Sequence, residues 1–188
     1  MSFYDTGDDL VIKGQVQRGY TFSTSPDVCF EYLSDIRNLL GQVPYVSKIQ
    51  VGKNSGRARA FFSFNILNTP LKAVLDLEPI KDKEQNFIRL QPAREPLGPL
   101  PSGYYTATFQ ANIRIQPVDQ NRAHVNSHIM LAFDGLKLVE RGLFPRFLLE
   151  TTGPALFQEY CERLCDEYAL NLLEHFKQWQ TERSLSDR

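Results

Sequence analysis

The sequence predicts an α+β domain in which one curved, seven-stranded antiparallel sheet wraps on a long C-terminal helix. Three observations carry this. Apolar and polar residues alternate with period two over 10–22, and again from Val46 to Phe133. One apolar stripe at spacings of three and four then runs from Phe157 to Trp179. The 188 residues are 42% hydrophobic and 23% charged, enough apolar material for a sizeable core in one domain.

The first strand is read from Ile12, Gly14, Val16, Arg18, Tyr20 and Phe22, which alternate with Val11, Lys13, Gln15, Gln17, Gly19 and Thr21. Ser25-Pro26-Asp27 then starts a short helix. Serine is a good cap, proline suits the first helical position, and aspartate favours the positive helix end. Cys29, Phe30 and Leu33 form its buried stripe, and it ends near Asp35. A second short helix runs from Ile36 to about Gln42 and stops before Pro44.

Six strands follow, at about 47–53, 57–66, 71–80, 86–91, 104–117 and 123–133. Turn residues join them: Lys53-Asn54-Ser55-Gly56, Asn68-Thr69-Pro70, Lys81 to Asn86, and Asp119-Gln120-Asn121. The joint at 92–103 is longer and holds Pro92, Pro96, Pro99 and Pro101. Residues 134–153 are apolar and punctuated by glycine, with Leu138, Phe144, Phe147 and Leu149 among cations; core, interface and cavity gate all fit them. The long helix begins after Pro154 and runs to about Glu182. Residues 1–183 form the expected domain and 184–188 a frayed tail.

The bulk numbers exclude several classes. Lys+Arg total 21 against 22 Asp+Glu, a net of −1. That is not the basic excess of a dedicated DNA binder, nor the high net charge of a disordered chain. No long uncharged apolar run predicts a transmembrane helix. The acidic start, Asp5 to Asp9, lacks the basic and apolar regions of a secretory leader. Three cysteines, an odd number, fit a reducing, cytoplasmic setting.

The order strand, two short helices, six strands and one long helix resembles the START-like, helix-grip superfamily (SRPBCC), which includes birch-pollen allergen relatives and polyketide cyclases. Within it the chain looks like a family of cyanobacteria and plastids. The carrying residues are Ser25-Pro26, Phe30, Leu33, Pro44-Tyr45-Val46, and the stretch Gly142-Leu143-Phe144-Pro145-Arg146-Phe147-Leu148-Leu149-Glu150 with Gly153. The resemblance implies a hydrophobic cavity between sheet and helix, and an oxygenic phototroph as source. It implies no particular reaction.

The inner sheet face supports a cavity independently. Alternation points Ala60, Phe62, Phe64, Ala73, Leu75, Tyr105, Ala107, Phe109, Ala111, Ser127, Ile129 and Leu131 inward. Phe157, Cys161 and Leu164 face them from the helix. Alanines beside aromatics leave room, and Tyr105 and Ser127 are the expected polar groups. The competing expectation is that the large aromatics fill that room.

Catalytic and metal motifs are missing. There is no G-x-S-x-G, H-E-x-x-H, G-x-G-x-x-G or P-loop. His124 and His128 on one strand stand about 13 Å apart, too far for one ion. Cys161 and Cys165 lack paired C-x-x-C knuckles and are read as packing. Asp76 and Glu78 fall on the outward face and are read as solvated. Arg94 and Glu95 are the loop residues that a catalytic reading would bring into the cavity.

From Asp35 to Asp76 no carboxylate intervenes, whereas Arg37, Lys48, Lys53, Arg57, Arg59 and Lys72 do. Arg57 and Arg59 are the expected docking residues toward an anionic membrane surface or a membrane-associated complex. Phe62 and Phe64 point inward, which argues against single-stranded nucleic acid. The expected function is non-catalytic binding of a hydrophobic small molecule (lipid, isoprenoid or pigment-like). The alternatives are an assembly factor with a vestigial cavity and a cyclase- or dehydrase-type enzyme. No cofactor is named by these residues.

Overall fold

A computed structural model describes residues 10–53, 56–66 and 69–186. The acidic start and parts of the turns at 53–56 and 68–70 therefore lie outside the described residues.

Among the described residues the elements are β1 (Val11–Phe22), α1 (Pro26–Ser34), α2 (Ile36–Gly41), β2 (Val46–Val51), β3 (Ala58–Ile66), β4 (Thr69–Asp82), β5 (Phe87–Pro92), β6 (Tyr105–Asp119), β7 (Arg122–Asp134), α3 (Gly135–Glu140), α4 (Arg146–Thr151) and α5 (Gly153–Ser186). The strands form one sheet in the order β1-β7-β6-β5-β4-β3-β2, with antiparallel neighbours. Beyond the end of the short β5, β4 and β6 meet directly in a brief parallel pairing at Ala73 and Tyr105. The architecture is the expected one.

Local chemistry explains the helix ends. Pro26 opens α1, but the Ser25 side chain makes no capping bond; its carbonyl accepts from the Cys29 N–H at 3.0 Å. Asp35 caps α2 by accepting from the Arg37 N–H at 2.8 Å. The 134–153 stretch resolves into α3 and α4. Gly142, at φ +69°, closes α3 with the paired bonds Gly142 N to Val139 O and Leu143 N to Leu138 O. Only glycine reaches that conformation without strain. Leu138, Phe144 and Leu149 are buried there, while Phe147 is 67% exposed.

The core lies between the inner sheet face and α5, with α1 and α2 closing one end. Buried Phe157, Cys161, Cys165, Tyr168, Leu172 and Phe176 form the α5 stripe. The helix approaches β1 closely because Gly14 has no side chain. A Cβ there would lie 2.5 Å from Cys161 Sγ. The Gln158 amide sits against the β1 backbone, accepting from Gln15 N–H and donating to Gln15 C=O, both at 2.9 Å. Helix α5 continues to Ser186, past the expected end, so 184–186 are helical rather than a tail.

Candidate ligand-binding site

Two adjoining apolar lobes lie between the sheet and α5. The first is lined by Leu40, Val43, Phe62, Phe64, Ala73, Leu75, Ala107, Phe109, Leu131, Phe133, Tyr160 and Leu164. The second is lined by Tyr20, Leu39, Leu40, Val43, Leu90, Phe109, Ala111, Ile113, Ser127, Ile129, Leu164, Cys165 and Tyr168. They share Leu40, Val43, Phe109 and Leu164, so those side chains form the partition. Each lobe has a cavity volume of about 30 Å³. That admits a water-sized body, whereas sites for small organic ligands run to hundreds of Å³. Phe109, Ile129, Leu131 and Leu164 are only half-buried although they stand on the inner face. The interior is thus nearly filled by its aromatics, yet not packed to completion.

Four expected lining residues fall elsewhere. Ala60 is fully buried under the sheet packing. Tyr105 stands at the start of β6, its ring under the Arg141 guanidinium at 4.6 Å. Cys161 is spent on Gly14. Phe157 lines a third small apolar void with Ile12, Leu138, Phe144 and Leu149. The expected list also missed members. Leu40 and Val43 wall both lobes, and Leu39 the second, from α2 and its following turn; their signal is an apolar run directly before Pro44. Tyr20 follows the inward parity of β1, and Tyr160 lies three residues after Phe157 and four before Leu164, on the same helix face.

The polar content of the lobes is small and specific. The Tyr20 and Tyr160 hydroxyls are buried and lack hydrogen-bond partners. Tyr20 stands near Ser127 without a well-formed bond to it; the Ser127 hydroxyl donates to Arg18 C=O at 3.2 Å, which leaves its oxygen as an acceptor facing Tyr20. Burial pushes the phenols of Tyr20, Tyr160 and Tyr168 well above the ordinary tyrosine range. It also pushes the Cys165 thiol up to about 11, against a smaller opposing pull from Arg18. These groups stay protonated at neutral pH.

The outer sheet face corrects the docking residues. Arg59 is buried: its guanidinium forks onto Asp76 and also donates to Pro99 C=O at 2.9 Å and Gly98 C=O at 2.6 Å. Strand parity put Arg59 and Asp76 outward, but the 92–103 loop folds over that face and removes both from water. Asp76 is therefore not the solvated carboxylate expected. Arg57 remains half-buried at the start of the hairpin. Lys48 and Lys72 are exposed, standing 5.8 Å over the Phe61 ring and 5.9 Å over the Tyr104 ring. Arg94 and Glu95 are exposed and line neither lobe.

The histidines fall outside the lobes. His124 Nδ1 lies 3.2 Å from the Thr21 hydroxyl, and His175 Nδ1 lies 2.8 Å from the Tyr32 hydroxyl. Among the described residues, no group of three His, Cys, Asp or Glu side chains is placed to hold a metal ion. No helix among them is long and apolar enough to cross a membrane.

No protein-family model and no curated protein matches this sequence. Solved structures do match its fold. The Zhui aromatase/cyclase from Streptomyces sp. R1128 is 12% identical with a TM-score of 0.60, over 88% of this chain and 94% of that one. A conserved protein from Geobacillus kaustophilus is 10% identical with a TM-score of 0.61, over 89% and 96%. The di-domain aromatase/cyclase StfQ of the steffimycin pathway is 10% identical with a TM-score of 0.55, over 92% of this chain and 52% of that one. At such identities the shared property is the backbone arrangement, and the chain is similar to these proteins in having the helix-grip fold.

Proposed function

We propose that the protein binds a hydrophobic small molecule (lipid-, isoprenoid- or pigment-like) between the sheet and α5. The observation that carries this reading is the pair of adjoining apolar lobes whose inner-face side chains are incompletely covered. Because each lobe is small, binding widens them. The short α2 wall is the part with least to lose, since it is six residues long and meets α5 through the Asn171 amide on Gln42 C=O at 3.3 Å. Binding rather than turnover is favoured because the titratable groups lining the lobes are phenols and a thiol that burial keeps protonated.

The test is titration with the neutral fluorophore N-phenyl-1-naphthylamine. Wild type is expected to bind it, and Ala107→Phe and Ala111→Phe, which fill one lobe each, to weaken binding at least tenfold. No binding by wild type, or binding by both filled variants equal to that of wild type, overturns the reading.

The three free cysteines support a cytoplasmic setting, and the resemblance carried by Pro44-Tyr45-Val46 and 142–150 supports an oxygenic phototroph as source. The exposed Lys48 and Lys72 support docking to an anionic surface there, with Arg57 and without Arg59. Co-sedimentation with phosphatidylglycerol vesicles, lost in the Lys48→Glu/Lys72→Glu variant, is the expected result. No sedimentation by wild type overturns the docking.

A further inference from the structure

The second lobe holds a polar group that the fold itself does not use. Tyr20 is 8% exposed, and its ring is fixed edge-on against Phe22 at 5.7 Å. Its hydroxyl is buried without a partner, beside a wall that is otherwise apolar except for Ser127, Cys165 and the Tyr168 phenol. The Ser127 hydroxyl donates to Arg18 C=O, and its oxygen is a nearby acceptor with which Tyr20 makes no well-formed bond. A buried donor left unmade costs free energy that a bound acceptor would recover. No Lys, Arg or His side chain lines the lobe, so an anionic acceptor would enter without a counter-charge.

We propose that the ligand is an apolar molecule bearing a neutral acceptor oxygen, of the ketone or ether kind, and that the Tyr20 hydroxyl donates to that oxygen in the second lobe. This rests on the binding reading above and adds the chemical class. The phenol suits the task because it stays a neutral donor across the physiological range. Tyr160 presents a second unpartnered hydroxyl in the first lobe and is the competing donor.

Two ketone–hydrocarbon pairs of different size, 1-indanone with indane and 9-fluorenone with fluorene, are titrated by calorimetry into wild type, Tyr20→Phe and Tyr160→Phe. Tyr20→Phe is expected to weaken ketone binding about tenfold and to leave hydrocarbon binding within twofold. Tyr160→Phe tests the first lobe as the competing donor site and is expected to weaken ketone binding less than Tyr20→Phe does. Equal loss for ketone and hydrocarbon in Tyr20→Phe, or loss of ketone binding in Tyr160→Phe instead, overturns the assignment while the binding reading stands. Failure of wild type to bind any of the four overturns both. The melting temperature supplies a second measurement. Tyr20→Phe keeps the ring and removes only the unpartnered hydroxyl, so it should melt at or above wild type. A fall of several degrees would mean that the hydroxyl holds the fold, and would overturn the proposal.

Discussion

Arg59 and Asp76, on adjacent strands, face each other fork to fork, with Nε to Oδ1 and Nη2 to Oδ2 both at 2.7 Å. Their side chains are only 7% and 16% exposed. Arg59 also holds the Gly98 and Pro99 carbonyls, and Asp76 Oδ2 accepts from the Leu97 N–H at 3.3 Å. The pair thus fixes a proline-rich loop to the sheet through side chains, beside one backbone bond from the Ala93 N–H to Asp76 C=O at 2.8 Å.

Removing one member leaves the other charge buried, which costs about 3 kcal/mol or more. Arg59→Ala is expected to lose that much in urea denaturation and to make 92–103 the first site of limited proteolysis. Arg59→Lys should recover little, because an ammonium cannot fork onto the carboxylate and reach two carbonyls together.

Gly14→Ala places a methyl 2.5 Å from Cys161 Sγ. Overpacking of this kind costs about 1–3 kcal/mol. Thermal melting should show that loss, and Cys161→Ala in the same chain should restore part of it by removing the sulfur. Equal stability of Gly14→Ala and wild type would mean that α5 shifts freely on β1.

Tyr45 has φ +67° and is 50% exposed, with its ring stacked on Tyr160 at 6.3 Å. Tyr45→Gly loses the stack but relieves the backbone. Tyr45→Ala loses the stack and keeps the strain. The glycine variant should therefore be more stable than the alanine variant by about 1 kcal/mol in urea titrations, the reverse of the usual order at extended positions.

Burial raises the thiols of Cys29 and Cys161 to about 12 and that of Cys165 to about 11. In the unfolded chain a thiol ionises near 8.5. Between those values the unfolded state releases protons that the folded state keeps, so alkali favours unfolding. The stabilisation is complete below about pH 8.5 and falls by up to about 1.4 kcal/mol per thiol for each further pH unit. Urea midpoints at pH 8, 9 and 10 should fall accordingly. The native thiols should also resist Ellman's reagent until the chain unfolds.

Much of this architecture was legible in residue order. Alternation located every strand to within a few residues, and the inner-face alanines and aromatics that line the lobes followed from parity alone. Parity failed where a distant segment covered the sheet. Arg59 and Asp76 point outward as expected, but the local pattern carries no sign that the 92–103 loop returns over them. Tyr105 shows the second limit. At a strand end, the neighbouring segment decides a side chain's surroundings, and here that neighbour is Arg141, which follows α3. The Tyr20 hydroxyl shows the third, since whether a buried donor finds a partner depends on distances that no periodicity encodes.

Strand β1 lies at one side of the sheet and, among the described residues, pairs only with β7. Such an edge invites another molecule's strand to add on. Here the backbone groups of Gln15 are already taken by the Gln158 amide, and the Gln17 carbonyl accepts from the Arg18 guanidinium at 3.1 Å. One helix side chain thereby stands in for a missing eighth strand at the middle of this edge. The cross-link that seats α5 also makes this edge of the sheet a poor template for strand addition by a second copy.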